Sequence, residues 1–228
     1  MITDSKTFTK GLIMLALFFG VLVLLFMPLF NGQNSMQYLD ALYNSISKGS
    51  AYYIPEVQTE TENVSGQVVD LSLPYDNKEQ AQQTQVLLAK TGVQVSVQEG
   101  RLNIKGDLGQ MMEGCLEDAD AMYYNDGAKV NGKYGYDERR VLYNWARVID
   151  LAVHELKGQK KFAAAKILDL ALEKGVQASY NYYQVEPQSI RERLGVVIVS
   201  LLFYVIYTLW YGFAIMYLFE GWGMQLNH

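Results

Sequence analysis

Two uncharged runs constrain this chain more than anything else in it. Gly11 to Phe30 is 20 residues without a charged side chain, and Leu194 to Phe219 is 26 more. Each reaches the ~18–20 apolar residues that a helix needs to cross a ~30 Å hydrocarbon layer. The runs also account for the low charge of the whole chain, 19% against ~25% in an ordinary soluble domain. A soluble enzyme is excluded on this reading. Between the runs lie 163 residues, 31–193, enough for one domain with its own core.

Charge gives a direction. Lys6 and Lys10 precede the first run, while residues 31–47 beyond it carry only Asp40. The positive-inside rule then places both termini in the cytoplasm and the middle domain outside it, in a two-pass protein of the plasma (inner) membrane with a periplasmic domain. Arg191 and Arg193 before the second run argue the other way, partly offset by Glu192. The first span usually dominates, and it is followed here. Pro28-Leu29-Phe30-Asn31-Gly32 offers no small-residue cleavage site, so the first run reads as an anchor and not a removable signal.

The middle segment has 17 basic and 22 acidic side chains, the same −5 as the whole chain. Without a basic patch, nucleic acid is not expected as a partner. One cysteine, Cys115, cannot form an intramolecular disulfide.

Pattern along the chain predicts an α+β membrane protein. Residues 1–10 form a tail and 11–30 the first transmembrane helix. In 31–66 a short helix, capped by Asn34 or Ser35, leads into an extended connector around Pro55. Residues 67–124 read as a small α/β module. Val69, Leu71 and Leu73 alternate with polar residues, and Asp76 with Glu79 opens a helix. Val93, Val95 and Val97 then alternate up to the Glu99-Gly100 turn, Leu102 and Ile104 return, and Asp107 with Gln110 opens a second helix. The order β-α-β-β-α is most of a ferredoxin-like split module, lacking its last strand. Residues 125–186 give a loop at 125–136 and an antiparallel helical hairpin, the first helix closed by Gly158 and the second by Gly175. Residues 187–219 form a juxtamembrane segment and the second transmembrane helix, and 220–228 a tail.

No catalytic, cofactor or metal site is expected. Neither His154 nor His228 lies in a span, and no haem, iron–sulfur, phosphate-loop or hydrolase motif occurs. His154 follows Asp150 by four residues, a local pair at most. Among Glu113, Glu117, Asp118 and Asp120, the first, second and fourth share a helix face, which reads as solvated surface. On the opposite face Cys115 reads as core and unreactive. The 17 tyrosines are an excess, and Tyr180, Tyr182 and Tyr183 are marked as an interface, with sugar stacking as the alternative.

In the spans, Ala16 and Gly20, and again Thr208 and Gly212, have the small-x-x-x-small spacing that lets helices approach. Tyr204, Tyr207 and Tyr211 share a face near mid-span, where phenol donors are costly without acceptors. Together these residues mark a surface for another membrane helix. Two uncharged spans enclose no polar pore.

The functional expectation is a non-catalytic accessory or structural subunit in the lipid bilayer, packed against other integral membrane subunits. A hetero-complex is the first reading. A homo-oligomeric envelope scaffold is the second: it resembles polysaccharide chain-length regulators in its plan of two terminal spans around one extracytoplasmic domain. Their proline-rich approach to the second span is missing, since only Pro187 stands there. A ligand-binding extracytoplasmic sensor is a third reading, disfavoured by short tails for relaying a signal.

Overall fold

The computed structural model describes residues 2–224 and is mixed α+β, mostly helical. In chain order it comprises α1 (Ser5–Phe26), α2 (Ser35–Lys48), α3 (Ile54–Thr61) with a single 3-10 turn (Glu62–Val64), β1 (Val68–Pro74), α4 (Lys78–Ala89), β2 (Gln94–Gln98), β3 (Arg101–Asp107) and α5 (Leu108–Tyr123). There follow α6 (Gly127–Tyr134), α7 (Glu138–Gly158), α8 (Phe162–Leu170), a π-helical stretch (Ala171–Gln177), α9 (Ala178–Tyr182) and α10 (Ile190–Gly221). The chain divides into two units: residues up to Gly49 with those from Pro187 onward, and Ser50–Glu186.

In the first unit, α1 and α10 are, among the described residues, the two helices long and apolar enough to cross a membrane. At 22 and 32 residues they measure about 33 and 48 Å. Both are capped as the sequence dictates. The Asp4 carboxylate accepts from the Lys6 and Thr7 amides, and Ser189 from that of Arg191. The helices lie antiparallel, and their far ends are joined by the Thr3 and Asp4 amides, which both donate to the Gly221 carbonyl. Asn34 and Gln37 close a reciprocal capping box on α2.

The second unit is built on a three-stranded antiparallel sheet of order β1-β3-β2. Register pairs Leu71 with Ile104 and Leu73 with Leu102, so one face is continuous apolar surface, with all four residues buried. The other face carries Ser72, Arg101 and Asn103. Ser72 donates to Asn103 Oδ1 at 2.7 Å and accepts from Arg101 Nε at 2.8 Å. Strand order agrees with the split module, but helix placement departs from it. Asp107 ends β3 and caps α5 directly, with no loop in which the chain could turn back over the sheet. Instead α5 packs on α3, α6, α9 and the π-helical stretch, and α7 takes the place beside α4 on the apolar face.

Among the described residues no fourth strand covers β1. Its odd-numbered residues face β3, as the flanking Tyr75 amide to Gly100 and Leu108 amide to Gln67 bonds fix, so Asp70 and Ser72 turn their carbonyls outward. Gln159 Nε2 donates to the first at 3.0 Å, and the Arg101 guanidinium to the second. Side chains thus blunt an edge that would otherwise template another strand.

Three expectations are corrected. The connector around Pro55 is helical: Ile54, Val57, Thr61 and Val64 form a buried stripe, and Pro55 sits in the first turn, where its missing N–H costs nothing. The loop at 125–136 contains α6, capped by Asp126 and ended by Gly135 in the left-handed region at φ 76°. Gly175 does not end the second hairpin helix. The chain runs on through the π-helical stretch and α9 to Tyr182.

Candidate functional site

The α1–α10 seam follows a 3–4 spacing: Tyr207, Trp210, Ala214, Leu218 and Gly221 on α10 meet Phe18, Met14, Gly11 and Phe8 on α1. Glycine is required where the backbones touch. A Cβ on Gly11 would stand 2.7 Å from the Leu218 nitrogen and 2.9 Å from the Ala214 oxygen, and one on Gly221 would stand 2.4 Å from the Phe8 nitrogen. Two polar contacts close the seam at mid-helix. Tyr207 donates to the Phe18 carbonyl at 3.0 Å while its ring stacks on Phe18 with centroids 4.2 Å apart. Trp210 Nε1 donates to the Met14 carbonyl at 3.2 Å. At the far end the Lys10 ammonium lies 3.9 Å over the Tyr217 ring, a cation–π contact.

The sequence-marked residues divide between seam and surface. Tyr207 is in the seam, and Tyr211, a residue 45% exposed, leans its ring on Phe18. Tyr204 is 67% exposed, and its hydroxyl bonds no described residue. Ala16, Gly20, Thr208 and Gly212 are all exposed, and a Cβ on either glycine would meet nothing described within 4 Å. The Thr208 hydroxyl returns to the Tyr204 carbonyl at 2.7 Å. Both small-x-x-x-small pairs therefore face away from the partner helix of the same chain. Sequence reasoning considered side-chain acceptors only and missed that helical carbonyls of α1 serve Tyr207 and Trp210.

Against this hairpin α2 leaves a groove of about 570 Å³. Leu22, Leu25, Met36, Leu39 and Phe203 give it apolar walls, and Tyr43 and Ser200 share a 2.7 Å hydrogen bond within it.

In the second unit the tyrosines serve several purposes. Tyr183 is buried and donates to Glu138 at 2.7 Å; its hydroxyl also explains Gly127, whose Cβ would fall 2.1 Å from it. Tyr182 meets Tyr123 edge-on, and Tyr123 joins Tyr52 and Tyr124 in one aromatic cluster. Tyr52 donates to Asp120 at 2.7 Å. Burial, followed by its phenol neighbours, pushes Tyr123 up to about 12. Tyr180 stands 39% exposed.

The residue that sequence reading left without a place is Asp118. Glu113, Glu117 and Asp120 are exposed or half-exposed, but Asp118 is 2% exposed. Its Oδ2 accepts from Tyr134 at 2.6 Å and from Trp145 Nε1 at 2.8 Å, and its Oδ1 from Lys133 Nζ at 2.8 Å. One carboxylate thus ties α5 to α6 and α7. Burial, reinforced by the Asp118 hydrogen bond, pushes the Tyr134 phenol far up. Burial works against the Lys133 charge, but Asp118 and Glu117 outweigh it and raise its pKa. Every strong donor around the carboxylate is spent on it, an arrangement that clamps helices and leaves no free base.

Cys115, one turn away, is fully buried, and burial drives its thiol well above the usual range. His154 Nε2 lies 3.8 Å from Asp150 on an exposed helix face; His228 lies outside the described residues. No group of three or more metal-ligating side chains comes together among the described residues. The chain matches no protein-family model, no curated protein and no solved structure.

Proposed function

We propose that this chain is a non-catalytic membrane subunit in which the α1/α10 hairpin anchors the 50–186 unit and packs against the helices of other membrane proteins. The observation that carries this reading is the outward turn of both small-x-x-x-small pairs, Ala16 with Gly20 and Thr208 with Gly212, while other glycines make the hairpin's own seam. In lipid, helices associate through close backbone approach at small residues, and these pairs are left for a helix from elsewhere. Tyr211 flanks them with a half-exposed ring. Tyr207 is withdrawn from the contact surface, because its donor is satisfied within the hairpin. The middle unit is assigned outside the cytoplasm on the strength of Lys6 and Lys10.

A photo-crosslinking side chain placed at Gly212 in the full chain, in its own membrane, tests the reading. The expected product is an adduct with a different polypeptide, lost when Gly20 and Thr208 are changed to Leu. An adduct only with a second copy would turn the reading into a homo-oligomeric scaffold. No adduct at Gly212 or at Ala16 would refute helix packing altogether.

A further inference from the structure

The sheet of the second unit ends in two unlike edges. On the outer side of β1, Gln159 and Arg101 hold the carbonyls of Asp70 and Ser72. The outer side of β2 is different. The bonds of β3 to β1 leave its odd-numbered residues to face β2, and the register sets these against Gln94, Ser96 and Gln98. Val95 and Val97 therefore point their amides and carbonyls away from the sheet. Among the described residues, the one group that reaches them is the Gln85 side-chain amide. It lies 3.5 Å from the Val95 carbonyl, at the limit of a hydrogen bond. β2 has no charge, proline or bulge to guard its edge, and five residues is an ordinary strand length.

Gln94-Val95-Ser96-Val97-Gln98 reads the same in both directions. Two such strands laid antiparallel about Ser96 set Gln94 against Gln98, Val95 against Val97 and Ser96 against itself. Val95 of one copy then exchanges both backbone bonds with Val97 of the other. The valine side chains lie half-buried on the face of Leu102 and Ile104, and the pairing extends that apolar layer with β-branched cross-strand pairs. On the opposite face Ser96 meets Ser96 at a Cα separation of ~4.5 Å, close enough for the hydroxyls to bond. Other registers fail at the ends. A slip of two residues sets Gln98 against Gly92 or Gln94 against Gly100, turn residues at φ 85° and 73°. The palindrome thus fits one partner in one register, a second copy about a two-fold axis.

We propose that two copies of this chain join through β2 about a two-fold axis at Ser96, making one continuous sheet from two three-stranded ones. The paired strands supply five residues a side where a stable interface has ~20–30, so the copies must be held near each other. A shared bilayer does this, and to that extent the proposal rests on the membrane reading given above. It involves the 50–186 unit alone and leaves the outward faces of the spans for a foreign helix.

Cysteines read the register in the full chain, in membranes, on a Cys115→Ala background. Directly opposed residues stand within the ~4.4–6.8 Å Cα separation that a disulfide spans. Ser96→Cys should be trapped as a disulfide-linked dimer under mild oxidation. Gln94→Cys and Gln98→Cys should each stay monomeric alone, and be trapped together when two differently tagged chains are co-expressed. Val97→Pro removes an outward N–H that β3 does not use, and with it one bond from each copy. It should cut trapping of Ser96→Cys about tenfold. Ser96→Lys brings two ammonium groups together at the axis and should likewise suppress the Gln94/Gln98 trap. Circular dichroism checks that both variants stay folded. A Ser96→Cys chain that sits in the membrane yet stays monomeric overturns the proposal. So does equal trapping of Gln94→Cys alone, the mark of random collision, or capture of a different polypeptide at Ser96. Undiminished trapping in a folded Val97→Pro chain overturns it too. A chain absent from the membrane fraction refutes the membrane reading itself, a distinguishable failure.

Discussion

Replacing Asp118 by Asn isolates what its charge does for the second unit. Asn keeps the shape and can still accept from Tyr134 and Trp145 through one oxygen. Those two bonds fall from charge-assisted to neutral, a loss of about 1–1.5 kcal/mol each. The amide nitrogen then faces Lys133, one donor toward another. That side chain is 25% exposed and also reaches Glu117 at 3.4 Å, so its share is below about 1 kcal/mol. The total is about 3 kcal/mol, and with a urea slope of about 2 kcal/mol/M the midpoint drops by roughly 1.5 M. The assay is urea unfolding of the full chain in detergent on a W210F/W222F background, where Trp145 is the one remaining indole and itself a ligand of the carboxylate. Tyr134→Phe should cost less than Asp118→Asn, since it removes one bond and strands no donor. A shift for Asp118→Asn under about 0.3 M would show that the buried charge does not clamp the three helices, and the account of this cluster would be wrong.

Gly11→Leu and Gly221→Leu should break the hairpin, because even a Cβ overlaps backbone there, while Gly20→Leu should leave it intact; disulfide trapping between cysteines placed at Met14 and Trp210 reads the difference. Stability should fall as pH rises above about 10. Tyr75, Tyr123 and Tyr134 have folded pKa values raised above that of a free phenol, so their contribution is complete below it and lost as the unfolded chain ionises first; ultraviolet phenolate absorbance should show these groups titrating only with unfolding. Cys115→Ala should cost about 1 kcal/mol and leave any assembly unchanged. On that background a cysteine at exposed Gln58 should react with an impermeant reagent in intact cells, and labelling only after lysis would reverse the assigned orientation.

What the sequence revealed follows from how each signal is carried. The two long helices were legible from length alone, and the strands from clean alternation at Val69–Leu73 and Leu102–Ile104. The α3 stripe was hidden by Pro55 and three glutamates, although Ile54, Val57 and Val64 keep helical spacing. In α6 the glycines resemble a loop. Gly127 is there for close packing by Tyr183, and only Gly135 marks an end. Gly175 deceived in the same way: its Cβ would stand 2.8 Å from Leu116 Cδ2, so it is a point of close approach inside a continuous helix. A π-helical stretch leaves no periodic mark, because it shifts the face by a single residue. Asp118 was left off the solvated face of Glu113, Glu117 and Asp120 but given no role; one position from Glu117 is about 100° of rotation, enough to turn a carboxylate inward. The groove had no sequence signature, since it depends on how α2 and the preceding α1 meet α10, which is distant in sequence.

The hydrogen bond from Tyr207 to Phe18 joins residues 189 positions apart. At ~5–20 residues synthesised per second, roughly 10–40 s separate the emergence of its acceptor from that of its donor. On the membrane reading, α1 therefore enters the bilayer and lives there as a solitary span while the whole Ser50–Glu186 unit is made, crosses and folds. On that reading Lys6 and Lys10 are the basic residues flanking α1 during that interval, before Arg191 and Arg193 are made. The carbonyls of Met14 and Phe18 wait within their own helix, already bonded once, so the lone α1 has no buried polar debt to settle. Only α10 arrives with donors that need a partner, and it finds one already in place. Assembly thus has a fixed order: the late helix is recruited by the early one, and the chain closes on itself last.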